Sequence, residues 1–338
     1  MLRIFHNPSY DFIKWWRVAA ISTAAFILIG LATFAITGGV NYSIEFTGGT
    51  LQQLEFNQPP NVGDIRSTLD AAGIRGAEIQ QFGSNREFTI RAQGERQVAQ
   101  QAAGAEDVAQ EIQSALTKRY GAGAFRVVRT EAVGPRVGSE LRRGAAVAML
   151  LSSLVTLVYL AIRFEWRFGL AAVLSSAHDI LVTLAFIKLM HLEVSLTVVA
   201  GILTLLGYSL NDTIIIFDRV RENLRKQRKE PLRDVLNRSI NETLPRSVLT
   251  HATTLAATLA LLFFAGEVIR PFAWVMAFGV IVATFSSIYV AGPLLLWIEE
   301  KWPRRAAGQR AGSAPRELRE GRARQQPGAA ARTVPSAR

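Results

Sequence analysis

The sequence contains no cysteine and few charged residues. With no thiol among 338 residues, disulfide bonds and cysteine-based catalysis or metal binding are excluded. Asp, Glu, Lys and Arg make up only 19% of the chain, whereas 49% is hydrophobic. A soluble protein with a large core could share this balance, so the distribution of the apolar residues decides the class of protein.

The apolar residues gather into six long segments. Each has about the 20 residues that a helix needs to cross the hydrocarbon layer of a membrane. We predict membrane spans at residues 18–37, 144–162, 168–187, 194–217, 247–266 and 272–298. The first is too long for the apolar core of a signal peptide and no A-x-A-like cleavage site follows it, so we expect it to be retained.

The net charge of +11 is distributed unevenly. Segment 1–17 is basic, the loop 218–246 has nine Lys and Arg against five acids, and the tail 299–338 has ten against four. Segment 38–143 is neutral, with twelve residues of each sign. Because basic segments stay on the cytoplasmic side, we predict both termini and the loop 218–246 inside and residues 38–143 outside. Topology thus accounts for the basic surplus, and we expect no nucleic-acid ligand.

The neutral outer segment has the pattern of a small α+β domain. Strand patterns occur at residues 51–56, 77–82, 86–92 and 125–133, and helix patterns at 61–73 and 95–121. The order βαββαβ predicts a ferredoxin-like sandwich of one sheet and two helices.

The tail 299–338 has few large apolar residues and is rich in Arg, Ala, Gly and Pro. This composition predicts a disordered segment. Its positive charge would hold it near anionic lipid.

The stretch GYSLNDTIIIFDRVREN, residues 207–223, places an acid inside the fourth apolar segment. A charged side chain at the centre of a span costs about 2.5–3.5 kcal/mol on insertion scales, so Asp212 indicates a proton or ion path, or a buried pair. Tyr208 and Ser209 lie on the same helical face, at i−4 and i−3, and Asn211 flanks the acid. We therefore predict a polar stripe in the cytoplasmic half of this span.

Arg246 is the predicted partner of Asp212. It begins the fifth span at the cytoplasmic end, and Thr250 and Thr253 follow it on that face. A carboxyl group whose distance from a guanidinium differs between two conformations binds and releases a proton. A static pair that joins two helices is the alternative, and the spacing does not decide between them.

The third span has a second polar cluster. Its members recur at helical spacing: Ser175, Ser176, Asp179 and Thr183, with His178 beside the acid. Asp179 either handles protons or is simply hydrogen-bonded by its hydroxyl neighbours. We expect His178 to pack, and also His251, because His251 lies off the Arg246 face.

Seven segments together resemble one family. They are IEFTGGT (44–50), VGPRVGSEL (133–141), RFEWRFG (163–169), AHD (177–179), GYSLNDTIIIFDRVREN (207–223), NETLPRSVLT (241–250) and SSIYVAGPL (286–294). The combination is similar to the SecF family, the smaller subunits of the bacterial SecDF protein-export complex in the RND superfamily. The resemblance covers nearly everything except the interior of the outer domain and the tail.

The resemblance implies a subunit of the Sec export machinery in the bacterial cytoplasmic (inner) membrane. Such a subunit uses the proton motive force late in preprotein translocation. The implied partners are a SecD-like subunit in a twelve-span assembly, the SecYEG channel and the emerging preprotein, and YajC-like and YidC-like proteins are further candidates. We expect no enzymatic activity, no cofactor and no metal.

The resemblance also implies roles for individual residues. Asp212 resembles the family's essential membrane carboxylate and Arg246 its basic partner, and we assign Tyr208, Asn211 and Asp179 to the same proton-coupling group. Residues of the motifs and their surroundings are Glu45, Phe46, Gly48, Gly49, His178, Gly207, Asp218 and Arg219.

Two residues depart from the family pattern. Glu45 stands where the family usually has Asp, and because the charge is kept we expect little change. His251 stands where the family usually has a small residue. A titratable group there either alters the proton path or merely packs.

Three other functions are alternatives. An RND-type proton-coupled exporter of lipid or small molecules usually has twelve spans and two large outer domains, against six spans and one domain here. An intramembrane aspartyl protease would need Asp179 and Asp212 at similar depth, and the GxGD-like signature is absent because Gly207 is five residues before Asp212. A non-transporting scaffold of the export channel differs only in whether protonation matters.

Overall fold

The computed structural model describes residues 8–92, 104–163, 165–227, 230–266 and 268–303. The prediction of disorder for 299–338 therefore falls almost entirely outside the described residues, as does the start of the helix predicted at 95–121. The chain divides into two units, residues 1–297 and 298–338.

Ten helices and four strands are described, in addition to a 3-10 turn at Ile13–Trp15. In chain order they are α1 (Trp16–Thr37), α2 (Ile44–Thr47), β1 (Gly49–Phe56), α3 (Val62–Ala71), β2 (Glu78–Gln81), β3 (Glu87–Ala92), α4 (Gly104–Tyr120), β4 (Phe125–Val133), α5 (Pro135–Arg163), α6 (Trp166–Leu189), α7 (Leu196–Lys226), α8 (Leu232–Phe264), α9 (Arg270–Tyr289) and α10 (Ala291–Lys301).

The sheet domain confirms the predicted ferredoxin-like fold. Its four antiparallel strands lie in the order β2–β3–β1–β4. Burial alternates along β1 and β3 because one face of the sheet packs on α3 and α4. The core between them combines Leu54, Phe56, Phe88 and Ile90 from the strands with Ile65, Leu69, Ile112 and Leu116 from the helices.

Six helices in the described part of the chain are long and apolar enough to cross a membrane, as predicted: α1, α5, α6, α7, α8 and the α9–α10 pair. We call the end of this bundle next to the sheet domain the domain end, and the end with residues 218–246 the loop end. At the loop end, α7 continues to Lys226 and α8 begins at Leu232. The predicted loop 218–246 is therefore largely helical.

The segment predicted as one sixth span, 272–298, is two helices. Helix α9 ends at Tyr289 and α10 begins at Ala291. Pro293 has no amide hydrogen with which to bond the carbonyl of Tyr289, which accounts for a break at this place.

Helices α6, α7 and α9 form the centre of the bundle. They pack on one another, and more than half of the residues in the most apolar stretch of each are buried, whereas few residues in the corresponding stretches of α1 and α5 are buried. Close approach depends on small residues: an added Cβ at Gly30 of α1 would lie 2.4 Å from the Cβ of Ala185 in α6. Such contacts between small side chains stabilise helix pairs in membranes.

The segment between α1 and β1 binds the connection between α6 and α7 at the domain end. The amide of Ser43 donates to the carbonyl of Val194 at 2.9 Å, and the amide of Val194 donates to Asn41 at 2.7 Å. The Glu45 carboxylate accepts the amide of Leu196 at 2.6 Å. Because Leu196 is the first residue of α7, Glu45 satisfies a free N–H of the helix that carries Asp212.

The two glycines of the same segment make its turn. Gly48 and Gly49 have φ of 74° and 127°, conformations that favour glycine. The start of α5 packs closely here, since a Cβ at Gly138 would lie 2.9 Å from the amide nitrogen of Gly48. The pair therefore allows the chain to turn from α2 into β1 beneath α5.

An ion-pair cluster links the sheet domain to the domain end. Arg91 of β3 pairs with Glu193, which precedes α7, and with Glu78 at 3.2 Å. Its guanidinium also donates to the carbonyl of Tyr42 at 3.4 Å. One side chain thus connects the sheet, the segment before α2 and the α6–α7 connection.

Residues 10–13 bind the loop end of α8. Tyr10 and Asn241 exchange two hydrogen bonds, of 2.9 and 2.8 Å. Asn237 donates to Asp11 at 2.7 Å, and this bond holds the pKa of the Asp11 carboxyl below its usual value.

We predict that Gly30→Ala lowers the thermal stability of the detergent-solubilised protein. The new methyl group would overlap Ala185, and overpacking of this kind costs about 1–3 kcal/mol. Gly144→Ala in α5 is the control, because among the described residues nothing lies within 4 Å of its added Cβ. Thermal unfolding curves should show a lower Tm for Gly30→Ala alone; equal values for both variants would show that α1 and α6 are not in this close contact.

Candidate functional site

Asp212 is buried between α7 and α8, with 5% of its surface exposed. Its Oδ1 accepts a hydrogen bond from the Ser247 hydroxyl at 2.6 Å. Its Oδ2 has no hydrogen-bond partner among the described residues. The carboxyl group is therefore enclosed by protein but only half satisfied.

The predicted contact between Asp212 and Arg246 is not formed in this structure. Arg246 is exposed, and no ion pair joins it to any residue that the structure describes. The reason is the turn of α8: consecutive helical residues point about 100° apart, so when Ser247 faces Asp212, Arg246 points away.

Arg246 instead lines an open pocket of about 430 Å³ at the loop end. The pocket is lined by charged, polar and apolar side chains of α5, α7 and α8. Besides Arg246 these are Tyr159, Arg163, Ile214, Ile215, Asp218, Arg219, Glu222, Glu242 and Thr243. Ile215 lies three residues after Asp212, and Thr243 lies four residues before Ser247. The pocket therefore comes within about one helical turn of the buried carboxyl.

On the domain side of Asp212, Tyr208 and His251 are in edge contact, with ring centroids 5.3 Å apart. His251 is 5% exposed, and its Nδ1 has no partner among the described residues. The expectation that His251 lies off the site used Arg246 as the reference for α8. Ser247 is the correct reference, and His251 follows it at i+4 on the same face.

Asp179 is held by side chains from three helices and is 2% exposed. Its Oδ1 lies 3.0 Å from Nδ1 of His178. Its Oδ2 accepts hydrogen bonds from Ser209 of α7 and, at 2.7 Å, from Ser286 of α9. This arrangement favours the interpretation of Asp179 as a hydrogen-bonded structural acid.

Other polar residues of the third span bond locally or lack a partner. The Thr183 hydroxyl donates to the Asp179 carbonyl at 2.7 Å, and Ser176 donates to the Ala172 carbonyl at 3.0 Å. The buried Ser175 hydroxyl has no partner in the described part of the chain. Ser286 was not predicted as a residue of this cluster. The sequence feature that could have indicated it is the pair of serines at the start of SSIYVAGPL, within an apolar span.

The two membrane acids accept hydrogen bonds from different hydroxyl groups. Ser209 contacts Asp179, and Asp212, three residues further on, contacts Ser247. Each carboxyl thus has its own hydroxyl partners, and the facing pair that an aspartyl protease needs is not formed.

Asn211 and Gly207 lie on the exposed face of α7, and a Cβ at Gly207 would meet no described atom within 4 Å. The structure therefore does not bring them to the Asp212 carboxyl. Thr250 and Thr253 are exposed on α8 as well. Together these residues give a polar or small surface on the outside of the α7–α8 pair.

Of the remaining motif residues, Asp218 is exposed at the pocket. Arg219 pairs with Glu242 of α8 at 2.5 Å and with Glu222 at 2.6 Å. Asn223 also donates to Glu242, at 2.8 Å. These contacts join the loop-end extensions of α7 and α8.

Phe46 is buried at the domain end with Ile187, Val198 and Val275. Glu45, Gly48 and Gly49 lie nearby, around the start of α7. Among the described residues, no cluster of three or more His, Cys, Asp or Glu could hold a metal ion.

Two families match this chain. The one described as protein export membrane protein SecD/SecF, C-terminal, matches residues 112–301, and the SecD/SecF GG motif matches residues 34–60. The chain is 72% identical over 305 residues to protein translocase subunit SecF of Gemmatimonas aurantiaca, covering 90% of this chain and 91% of that protein. It is 41% identical to protein translocase subunit SecF of Vibrio alginolyticus, covering 86% and 90%.

The chain belongs to the SecF family. It is therefore a subunit of the Sec protein-export machinery and a multi-pass protein of the bacterial inner membrane. This identification does not favour an exporter of lipid or small molecules.

The fold is similar to that of a solved member. The crystal structure of SecDF from Thermus thermophilus, a translocon-associated membrane protein, matches with a TM-score of 0.75 and 35% identity. The match covers 87% of this chain but 39% of that chain. A crystal structure of SecDF in a super-membrane-facing form matches with a TM-score of 0.63 and covers 41% of that chain.

We predict that Ser286→Ala destabilises the bundle more than Ser287→Ala. Ser286 donates to the buried Asp179 carboxylate, and a buried group that loses a donor costs about 1–3 kcal/mol. Ser287 is equally buried but donates within its own helix, to the carbonyl of Thr284 at 3.1 Å. Thermal unfolding in detergent measures the difference; equal losses would show that the bond to Asp179 contributes little.

Proposed function

We propose that this SecF-family chain uses the proton motive force to promote the late stage of preprotein translocation, with Asp212 as the group that binds and releases the proton. The observation that carries the proposal is a buried carboxyl group with one hydroxyl donor and no described cation beside it.

A carboxylate in these surroundings is incompletely compensated. Burying a charge without a partner is unfavourable, and protonation removes that charge. Arg246 directly precedes Ser247 in α8. A rotation of α8 about its axis would therefore place the Arg246 guanidinium beside the Asp212 carboxyl in place of the Ser247 hydroxyl. A guanidinium beside the carboxyl favours its ionised form. The two helix positions would then bind the proton with different strengths.

Access from both sides of the membrane completes such a cycle. The loop-end pocket approaches Asp212 to within about one helical turn, and the Tyr208–His251 pair lies on the domain side. We propose, from the basic residues of 1–17 and 218–246, that the loop end and both termini are cytoplasmic and that residues 38–143 are outside. A proton that moves inward then gains about 2.3 kcal/mol per 100 mV of membrane potential.

The outer domain is the part that we propose to act on the emerging preprotein. Glu45 contacts the first residue of α7, and Arg91 joins the sheet to Glu193 just before that helix. A displacement of α7 during proton transfer would therefore be transmitted to the domain through polar contacts rather than through a flexible linker.

We propose a SecD-like subunit as the direct partner. Support comes from the solved SecDF chain, of which this chain covers 39%, and from Asn211 and Gly207, which lie exposed in a membrane span. The SecYEG channel, YajC-like and YidC-like proteins and anionic lipid at the basic loop are further proposed contacts. Tyr208 and Asp179 then act by supporting the site rather than by binding the proton, and Asn211 acts at the contact with the partner.

We predict that Asp212→Asn abolishes most of the gradient-dependent export and leaves the ATP-driven stage intact. The amide keeps the shape of the carboxyl but cannot exchange a proton, and Arg246→Met should have the same effect. The measurement is the amount of preprotein translocated by inverted membrane vesicles, with and without an imposed proton gradient.

The matched control is Asp70→Asn, the same chemical change on an exposed position of α3. It should export as the wild type does. If Asp212→Asn also exports like the wild type under the gradient, the proposed coupling is wrong.

A further inference from the structure

His251 is a buried titratable residue that the cycle above places on the domain side of Asp212 without giving it a chemical role. We propose that His251 is a further proton-binding residue of the site, which exchanges a proton with Asp212 across the contact between α7 and α8. This inference depends on the proposed role of Asp212, which it extends by one residue toward the domain end.

The geometry places the two groups on adjacent levels of the same helix pair. Asp212 contacts Ser247 at 2.6 Å, and one turn toward the domain end Tyr208 contacts His251. Tyr208 is at i−4 from Asp212, and His251 is at i+4 from Ser247, as expected for antiparallel neighbours. The levels are therefore separated by about one helical pitch of 5.4 Å, a gap that a side-chain rotation or one bridging water closes.

Both groups have an unsatisfied atom at this interface. Nδ1 of His251 and Oδ2 of Asp212 are buried, and neither has a hydrogen-bond partner among the described residues. Nearly all buried polar atoms in proteins are hydrogen-bonded. At this helix contact three are not, since the Tyr208 hydroxyl also has no partner among the described residues, so no competing bond holds His251 and Asp212 away from each other. An imidazole is suited to proton exchange because either nitrogen can carry the proton.

Few other charged or titratable groups face His251. From α7 these are Asp212 and Tyr208, and Asp212 is the charged group that acts on the imidazole. The part of α9 between residues 271 and 288 contains no titratable side chain. On α8 itself, Arg246 points into the loop-end pocket, and Lys14 belongs to the turn that binds near Asn237 at the loop end.

The transfer is balanced without any further reactant. An N–H bond of the His251 imidazolium breaks as an O–H bond forms on Asp212, leaving a neutral imidazole and a neutral carboxylic acid. A proton from the domain side would then reach Asp212 through His251 and leave toward the loop-end pocket.

Nuclear magnetic resonance of the full chain in liposomes, with its partner subunit, tests the exchange directly. The chain has four histidines, so ¹⁵N-labelled imidazoles can be assigned one by one, with His251→Asn identifying the signal of His251. We expect His251 to titrate, and its midpoint to differ between the wild type and Asp212→Asn, because the charge of Asp212 acts on the imidazole. The ¹⁵N signals of the exposed His191 are the internal control and should not differ between the two proteins.

A midpoint of His251 that is the same in wild type and Asp212→Asn, or no titration of His251 at all, would overturn the proposal. This result would leave the export test of Asp212 untouched, so the two proposals can fail separately.

Gradient-driven export measured over a range of pH tests whether proton exchange between His251 and Asp212 contributes to translocation. His251→Asn should change the shape of the pH profile and lower export several-fold at one end of it, while the ATP-driven stage is unchanged. His191→Asn is the matched control and should follow the wild type. A His251→Asn profile that overlies the wild-type profile would contradict a role in proton transfer and leave only packing against Tyr208.

Discussion

Hydrogen bonds from serine hydroxyls to two buried carboxyl groups are the interaction on which the membrane bundle depends. Ser209 and Ser286 donate to Asp179 and join three helices, and Ser247 of α8 donates to Asp212 of α7. The first site has several donors and is closed. The second has one donor and one oxygen without a partner among the described residues. This difference favours a structural role for Asp179 and supports Asp212 as the proposed proton carrier.

The same helix begins at the outer domain. Glu45 accepts a hydrogen bond from the first amide of α7, and Arg91 pairs the sheet with Glu193, just before the helix. Helix α7, 31 residues long, therefore connects the segment that contains Gly48 and Gly49 with the Asp212 carboxyl and the loop-end pocket. This connection gives a physical route from protonation at Asp212 to movement of the domain that we propose to contact the preprotein.

Much of the fold follows from patterns with long range along the chain. Six apolar segments of sufficient length and the βαββαβ order were enough to predict the bundle and the ferredoxin-like sheet, because membrane thickness and strand alternation constrain them strongly. The amphipathic pattern of 218–246 and the position of Pro293 also indicate helical extensions and a kink in the last span, whereas the residues at which α7, α8 and α9 end depend on tertiary contacts.

The sequence predicted several residues of the site but not the contacts between them. Asp212, Tyr208 and Asp179 were identified by their cost in a membrane and by spacing. Which residue of α8 faces Asp212 depends on the rotation of that helix, and a change of one residue, about 100°, exchanges Arg246 for Ser247. The same rotation brings His251 into the site, where sequence reasoning had left it outside.

Infrared difference spectroscopy of the complex in liposomes tests the central claim most directly, since it observes the carboxyl proton itself. The account predicts that reversing the proton gradient changes the carbonyl band of a protonated carboxyl, and that this change is missing in Asp212→Asn but present in Asp70→Asn. A gradient-dependent band that persists in Asp212→Asn, or no such band in the wild type, would contradict it.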